Sequence, residues 1–82
     1  MFFVYIIYSL SLDKYYVGYT TDIEKRLTEH NTGISVFTSK AMDWKVKWSK
    51  TFESRYDAMN EEKRIKAKKN RKYIEWLISS SK

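Results

Sequence analysis

Residues 2–9 run Phe-Phe-Val-Tyr-Ile-Ile-Tyr-Ser, β-branched and aromatic with almost no polar interruption. Such a run reads as a strand buried on both faces, because a half-exposed strand would alternate apolar with polar. A chain of 82 residues has room for one core around such a strand, so residues 1–82 are read as a single domain. Four Phe, three Trp and seven Tyr supply the bulk to fill it. No cysteine is present, so neither a disulfide partner nor a thiolate metal site helps, which fits a reducing, cytoplasmic setting. No run is long enough to span a membrane. The first apolar stretch has no basic residue before it and no small-residue cleavage site after it, so a secretory signal is not expected.

Periods and caps give the order β-β-α-β-α-α, an α+β class. Ser11-Leu12-Asp13 is a turn, and residues 14–19 form the second strand of a hairpin. Thr21 or Asp22 can cap a helix over about 22–31, and Asn31 or Gly33 can end it in the left-handed conformation. Residues 34–43 have no period and read as a loop. Lys45 to Phe52 alternates, with Val46 and Trp48 marking a third strand. Ser54 caps a helix over about 55–68, and a further helix follows over about 70–79, where Tyr73, Ile74, Leu77 and Ile78 fall at helical spacing.

The charge is uneven. Residues 1–44 carry four bases against five acids, and residues 45–82 carry twelve against five, so the formal total of +6 sits in the second half. Lys63, Lys66, Lys68, Lys69 and Arg71 form the densest cluster, suited to raising the local concentration of a polyanion such as DNA. A solvated helix face kept basic for solubility is the plainer alternative.

Arg26 and His30 are four apart and share a helix face. Two cations side by side would repel, but around a phosphate they make sense: a guanidinium grips phosphate oxygens, and an imidazole can donate or relay a proton. Otherwise Arg26 pairs with Asp22 or Glu29, and His30 sits near a helix C-terminus that favours it. Glu62 lies between Ala58 and Ile65 on the stripe that faces the core. A carboxylate there must meet a cation: a lysine, Arg26, or a divalent ion such as Mg²⁺. Glu61 points about 100° away and should face solvent.

Tyr5 and Tyr16 lie in adjacent strands. If they share a face, opposed residues in the hairpin have numbers summing to an odd value. A sum of 23 sets Gly18 opposite Tyr5 and Ile7 opposite Tyr16, and Gly18 then leaves room beside the Tyr5 ring.

The order Val4-Tyr5-Ile6, Tyr16-Val17-Gly18-x-Thr20-Thr21-Asp22-x-x-x-Arg26-Leu27-x-x-His30-Asn31, then Ala58-x-x-x-Glu62-x-x-Ile65-Lys66, resembles the GIY-YIG endonuclease superfamily. The likeness is to small single-domain proteins similar to the nuclease domain of the DNA-repair protein UvrC, and it runs from Val4 to about Ile78. The resemblance implies a small three-stranded antiparallel sheet flanked by helices. It also implies hydrolysis of DNA phosphodiester bonds with one divalent ion, Mg²⁺ or Mn²⁺, with selectivity for DNA structure as the finer expectation. Carried over by position, Tyr5 and Tyr16 line the catalytic site, one of them as general base. Arg26 holds the phosphate, His30 assists with proton or phosphate contacts, and Glu62 binds the metal. Thr38 matches a loop threonine, and Asn70 is the candidate for a late asparagine. Val4 departs from the first glycine of the name motif, and Tyr19 stands where relatives have a polar or basic residue. A nucleic-acid-binding module of the same fold, weak or inactive in catalysis, is the alternative.

Overall fold

The computed structural model describes residues 1–33, 40–68 and 70–80. Thr38, Lys69 and most of the loop expected over 34–43 lie outside the described residues. The elements are β1 (Phe2–Ser9), β2 (Lys14–Thr20), α1 (Ile23–Asn31), β3 (Trp44–Phe52), α2 (Arg55–Lys68) and α3 (Arg71–Ser80). The order β-β-α-β-α-α is the one read from the sequence. Each expected helix and strand is present within a residue or two of its expected ends.

The sheet is antiparallel with β1 in the middle, in the order β2-β1-β3. This explains why residues 2–9 need apolar side chains on both faces. Val4 and Ile6 point into one core with Val17, Trp48, Ala58 and Ile65, against which α3 packs Tyr73, Ile74, Leu77 and Ile78. Tyr5 and Ile7 point into a second core with Ala41 and Trp44, joined by Leu12, Tyr16, Ile23 and Leu27. Helices therefore cover both faces: α2 and α3 one, α1 the other.

The hairpin register is Tyr5 opposite Gly18 and Ile7 opposite Tyr16, the sum of 23 expected from shared facing. The other side of β1 is irregular. Ile6 pairs with Trp48 but Ile7 pairs with Val46, so β3 carries a bulge at Lys47. The extra residue inverts the alternation of β3. Trp44 and Trp48 are four apart and would share a face in a regular strand. Here Trp48 enters the first core and Trp44 the second. Val46 is left 37% exposed, although the plain alternation marks it as a strand position equivalent to Trp48.

Local chemistry fixes the ends. The Asp22 carboxylate caps α1 by accepting from the Lys25 N–H, settling the choice between Thr21 and Asp22. Gly33 takes φ +81 just past the helix, while Asn31 remains helical. Ser54 Oγ accepts from Asp57 N and caps α2. Asn70 Oδ1 accepts from Lys72 N at the start of α3. Asp13 adopts φ +52 in the β1–β2 turn, and its carboxylate accepts from Tyr8 and from Arg71, which ties the hairpin to α3. No helix among the described residues is long and apolar enough to cross a membrane.

Candidate active site

β1 brings Tyr5, β2 brings Tyr16, and α1 lays His30 across both rings. Centroid separations are 6.4 Å for Tyr5–Tyr16, 5.9 Å for Tyr5–His30 and 5.0 Å for Tyr16–His30. The three can approach because Gly18 has no side chain. A Cβ there would stand 2.6 Å from Tyr5 Oη, 2.9 Å from Tyr5 Cζ and 3.1 Å from Tyr16 Cε1. The space the sequence assigned to the Tyr5 ring is filled by that ring.

Tyr5 Oη and His30 Nε2 lie 2.9 Å apart, and both residues are buried. Burial pushes the Tyr5 pKa up to about 12, outweighing the nearby Arg26 guanidinium, which acts in the opposite direction. Burial, reinforced by the Arg26 charge, pushes the His30 pKa down to about 4. At neutral pH His30 is therefore uncharged, which removes the repulsion that an Arg26–His30 pair suggested. Which of the two donates in the Tyr5–His30 bond follows from the imidazole tautomer. Arg26 donates to Glu29 Oε1 at 2.8 Å, one of the two carboxylates weighed from the sequence.

The depressed His30 pKa makes a stability prediction. Between pH 6.5 and about 4 the unfolded chain binds a proton that the folded chain refuses. Stability present above pH 6.5 is thus lost as pH falls toward 4, and the loss then levels off. After allowance for screening this is worth about 2 kcal/mol. Urea midpoints at pH 7 and pH 4.5 should differ more for wild type than for His30→Gln. Carboxylates held acidic by their partners, such as Asp13 and Asp43, are common to both proteins and cancel.

Glu62 reaches the same region from α2, close enough for its charge to act on Tyr5. Its side chain is 16% exposed, and the cation it meets is Lys66, with Nζ at 3.4 Å. Lys66 Nζ also lies 5.6 Å from the centre of the Tyr16 ring. Of the cations weighed from the sequence it is the lysine, not Arg26, that stands by Glu62. Glu61 departs from expectation: it is as covered as Glu62, because Arg64 one turn on folds over it with two hydrogen bonds of 2.8 and 2.7 Å.

Tyr16 is half-exposed and borders a cleft of about 840 Å³ whose lining includes Trp44, Ile65, Lys66, Asn70 and Arg71. Asn70 thus lies on the cleft, with its side chain engaged in capping α3. Arg71, expected to meet DNA, spends its guanidinium on Asp13 and Glu75. Lys63, Lys66 and Lys68 are exposed.

The sequence marks Asn31 as a possible helix end, not as a link to β3. Its side chain accepts from Trp44 N at 2.8 Å and donates to Trp44 O at 3.1 Å, clamping the end of α1 to the start of β3. The clamp sets the position of the neighbouring His30.

Among the described residues no group of three or more His, Asp or Glu is placed to hold a metal by itself. The part-exposed Glu62 carboxylate is nevertheless a suitable hard donor for Mg²⁺ or Mn²⁺. Such ions keep several waters and take the rest of their shell from substrate phosphate.

Residues 1–74 match the family model described as the GIY-YIG catalytic domain. A UPF0213 protein of Halobacterium salinarum is 39% identical over 67 residues, covering 80% of this chain and 86% of the relative. One from Streptococcus pneumoniae is 38% identical, covering 77% of this chain and 65% of the relative. UPF0213 protein YsiG of Lactococcus lactis is 40% identical over 80 residues, covering 96% of this chain and 76% of the relative. There is no significant match among solved structures. With the family model spanning most of its length, the chain belongs to the GIY-YIG catalytic domain family, a nuclease family acting on nucleic acid.

Proposed function

We propose that residues 1–82 form one catalytic domain that hydrolyses DNA phosphodiester bonds with one divalent ion, Mg²⁺ or Mn²⁺, bound at Glu62. The observation that carries this reading is convergence. Tyr5, Tyr16, Arg26, His30 and Glu62 come from four different elements; the two tyrosine rings and His30 are in contact, and Arg26 and Glu62 are near enough for their charges to act on Tyr5. When bound, the ion would neutralise charge on the scissile phosphate and make an attacking water more acidic.

The two tyrosines have different tasks in this scheme. Tyr5 is buried, bonded to His30 and held protonated well above neutral pH, so it positions and donates. Tyr16 stands half-exposed at the cleft, beside His30 and Lys66, and is the better placed to take a proton from water. Arg26 stabilises charge developing on the phosphate. His30 holds Tyr5 and is poised beside Tyr16. Tyr16→Phe should cost more in kcat than Tyr5→Phe. Tyr5→Phe should cost more in stability, about 1–3 kcal/mol, because it removes a buried hydrogen bond. Single-turnover cleavage and urea unfolding of the two variants check this split, and the reverse order assigns the base to Tyr5.

One observation favours the alternative of a binding module. Lys66 already places a positive charge on Glu62, where the ion would sit. Loss of cleavage with binding retained in wild type would select that alternative.

Both readings place DNA on the basic second half. Affinity should fall steeply with salt, since each phosphate contact releases counterions. Neutralising Lys66, Lys68 and Lys69 together should weaken binding and flatten the dependence of log K on log salt by about two to three. Unchanged slope and affinity would move the interface elsewhere.

A further inference from the structure

The three tryptophans are not equivalent. Trp44 is 4% exposed and Trp48 8%, but Trp76 on α3 is 59% exposed. It lies beyond residue 74, where the family match ends. Trp76 stacks on Tyr73 with ring centres 5.9 Å apart and planes inclined by 28°. Tyr73 in turn is fixed by cations. Arg64 Nη1 donates to its hydroxyl at 2.6 Å, and Lys68 Nζ lies 5.4 Å from its ring centre. Lys68, Tyr73 and Trp76 thus form one group in which Trp76 is the exposed ring. Lys72, one turn before Trp76 on α3, is also exposed. The acids nearby are engaged, Glu61 with Arg64 and Glu75 with Arg71.

We propose that Trp76 is a stacking platform for an unpaired base of single-stranded nucleic acid, with Lys68 and Lys72 receiving the flanking phosphates. An exposed, pre-ordered aromatic ring bordered by lysines suits a base with its backbone. A purely apolar protein partner would have to desolvate those lysines without giving them a counter-charge. The proposal does not depend on cleavage or on a metal.

The test uses the full chain in EDTA with a labelled oligo(dT) and an abasic deoxyribose-phosphate oligomer of equal length. Because Trp44 and Trp48 are buried, emission from solvent-exposed tryptophan reports on Trp76. Oligo(dT) should quench that emission, and the abasic oligomer should not. By anisotropy, Trp76→Ala should lose about 5- to 100-fold in affinity for oligo(dT), the range of one stacked base, with little change for the abasic oligomer. Trp76→Phe should retain part of the difference. Equal binding of the two oligomers, or equal affinities of wild type and Trp76→Ala for oligo(dT), would overturn the proposal. So would wild-type dimerisation abolished by Trp76→Ala, which would make this face a self-association surface. Failure of cleavage would leave these results standing.

Discussion

Glu62→Gln should lower metal-dependent cleavage by about a thousandfold or more while leaving DNA affinity and folding nearly intact. The amide keeps the shape of the carboxylate but loses the charge that holds a divalent ion, and such an ion supplies several kcal/mol to the reaction. The stability side follows from the partner. Lys66 is 49% exposed, one turn away on the same helix and 3.4 Å from Glu62. Pairs of this kind contribute about 0.5 kcal/mol or less, so losing it should barely move the urea midpoint. Arg26→Ala should also reduce cleavage, by about a hundredfold or more, through lost charge stabilisation. A Glu62→Gln protein that cleaves normally would remove the metal from this position. One that unfolds markedly more easily would make Glu62 a structural ion-pair residue.

Gly18→Ala should be the most disruptive single-methyl change in the sheet. Gly18 does not have positive φ, so alanine is acceptable to the backbone and would even reduce the freedom of the unfolded chain. The cost is all in packing. The added carbon would stand 2.9 Å from a ring atom of Tyr5, which is 2% exposed and sits on the central strand. The ring must move, and movement breaks its bond to buried His30. Overpacking of this kind costs about 1–3 kcal/mol. The urea midpoint should fall accordingly, and cleavage should fall with it because Tyr5, Tyr16 and His30 no longer share their geometry. Wild-type stability in Gly18→Ala would show that the Tyr5 ring has room the structure does not give it.

Much of this arrangement was legible in the sequence where a short-range rule applies. Residues 2–9 announced a strand buried on both faces, and the parity of Tyr5 and Tyr16 with Gly18 gave the hairpin register. The caps at Asp22 and Ser54 follow from side chains reaching backbone only three residues on. What was hidden depends on groups far apart in the chain. Lys47 looks like any outward residue of an alternating strand, and only its pairing with β1 reveals the bulge that sends Trp44 and Trp48 to opposite cores. His30 near a helix end resembles a surface histidine. Its burial comes from Tyr5, 25 residues away, and its neutrality follows from that burial. Asn31 gave no sign of its clamp on Trp44. Glu61 and Glu62 differ in helical direction as expected, but Arg64 closes over Glu61 and erases the difference in exposure. The candidate site residues were named by motif order, whereas the proposed division of tasks between Tyr5 and Tyr16 rests on burial and position, which motif order does not carry.

The most direct measurement is a titration of Mg²⁺ and of Mn²⁺ against purified wild-type protein with branched, gapped and plain duplex DNA, scored for nicked product. Product should be absent in EDTA, rise and saturate with the metal, and disappear in Glu62→Gln. Bound DNA that stays intact on every substrate with either ion would contradict it.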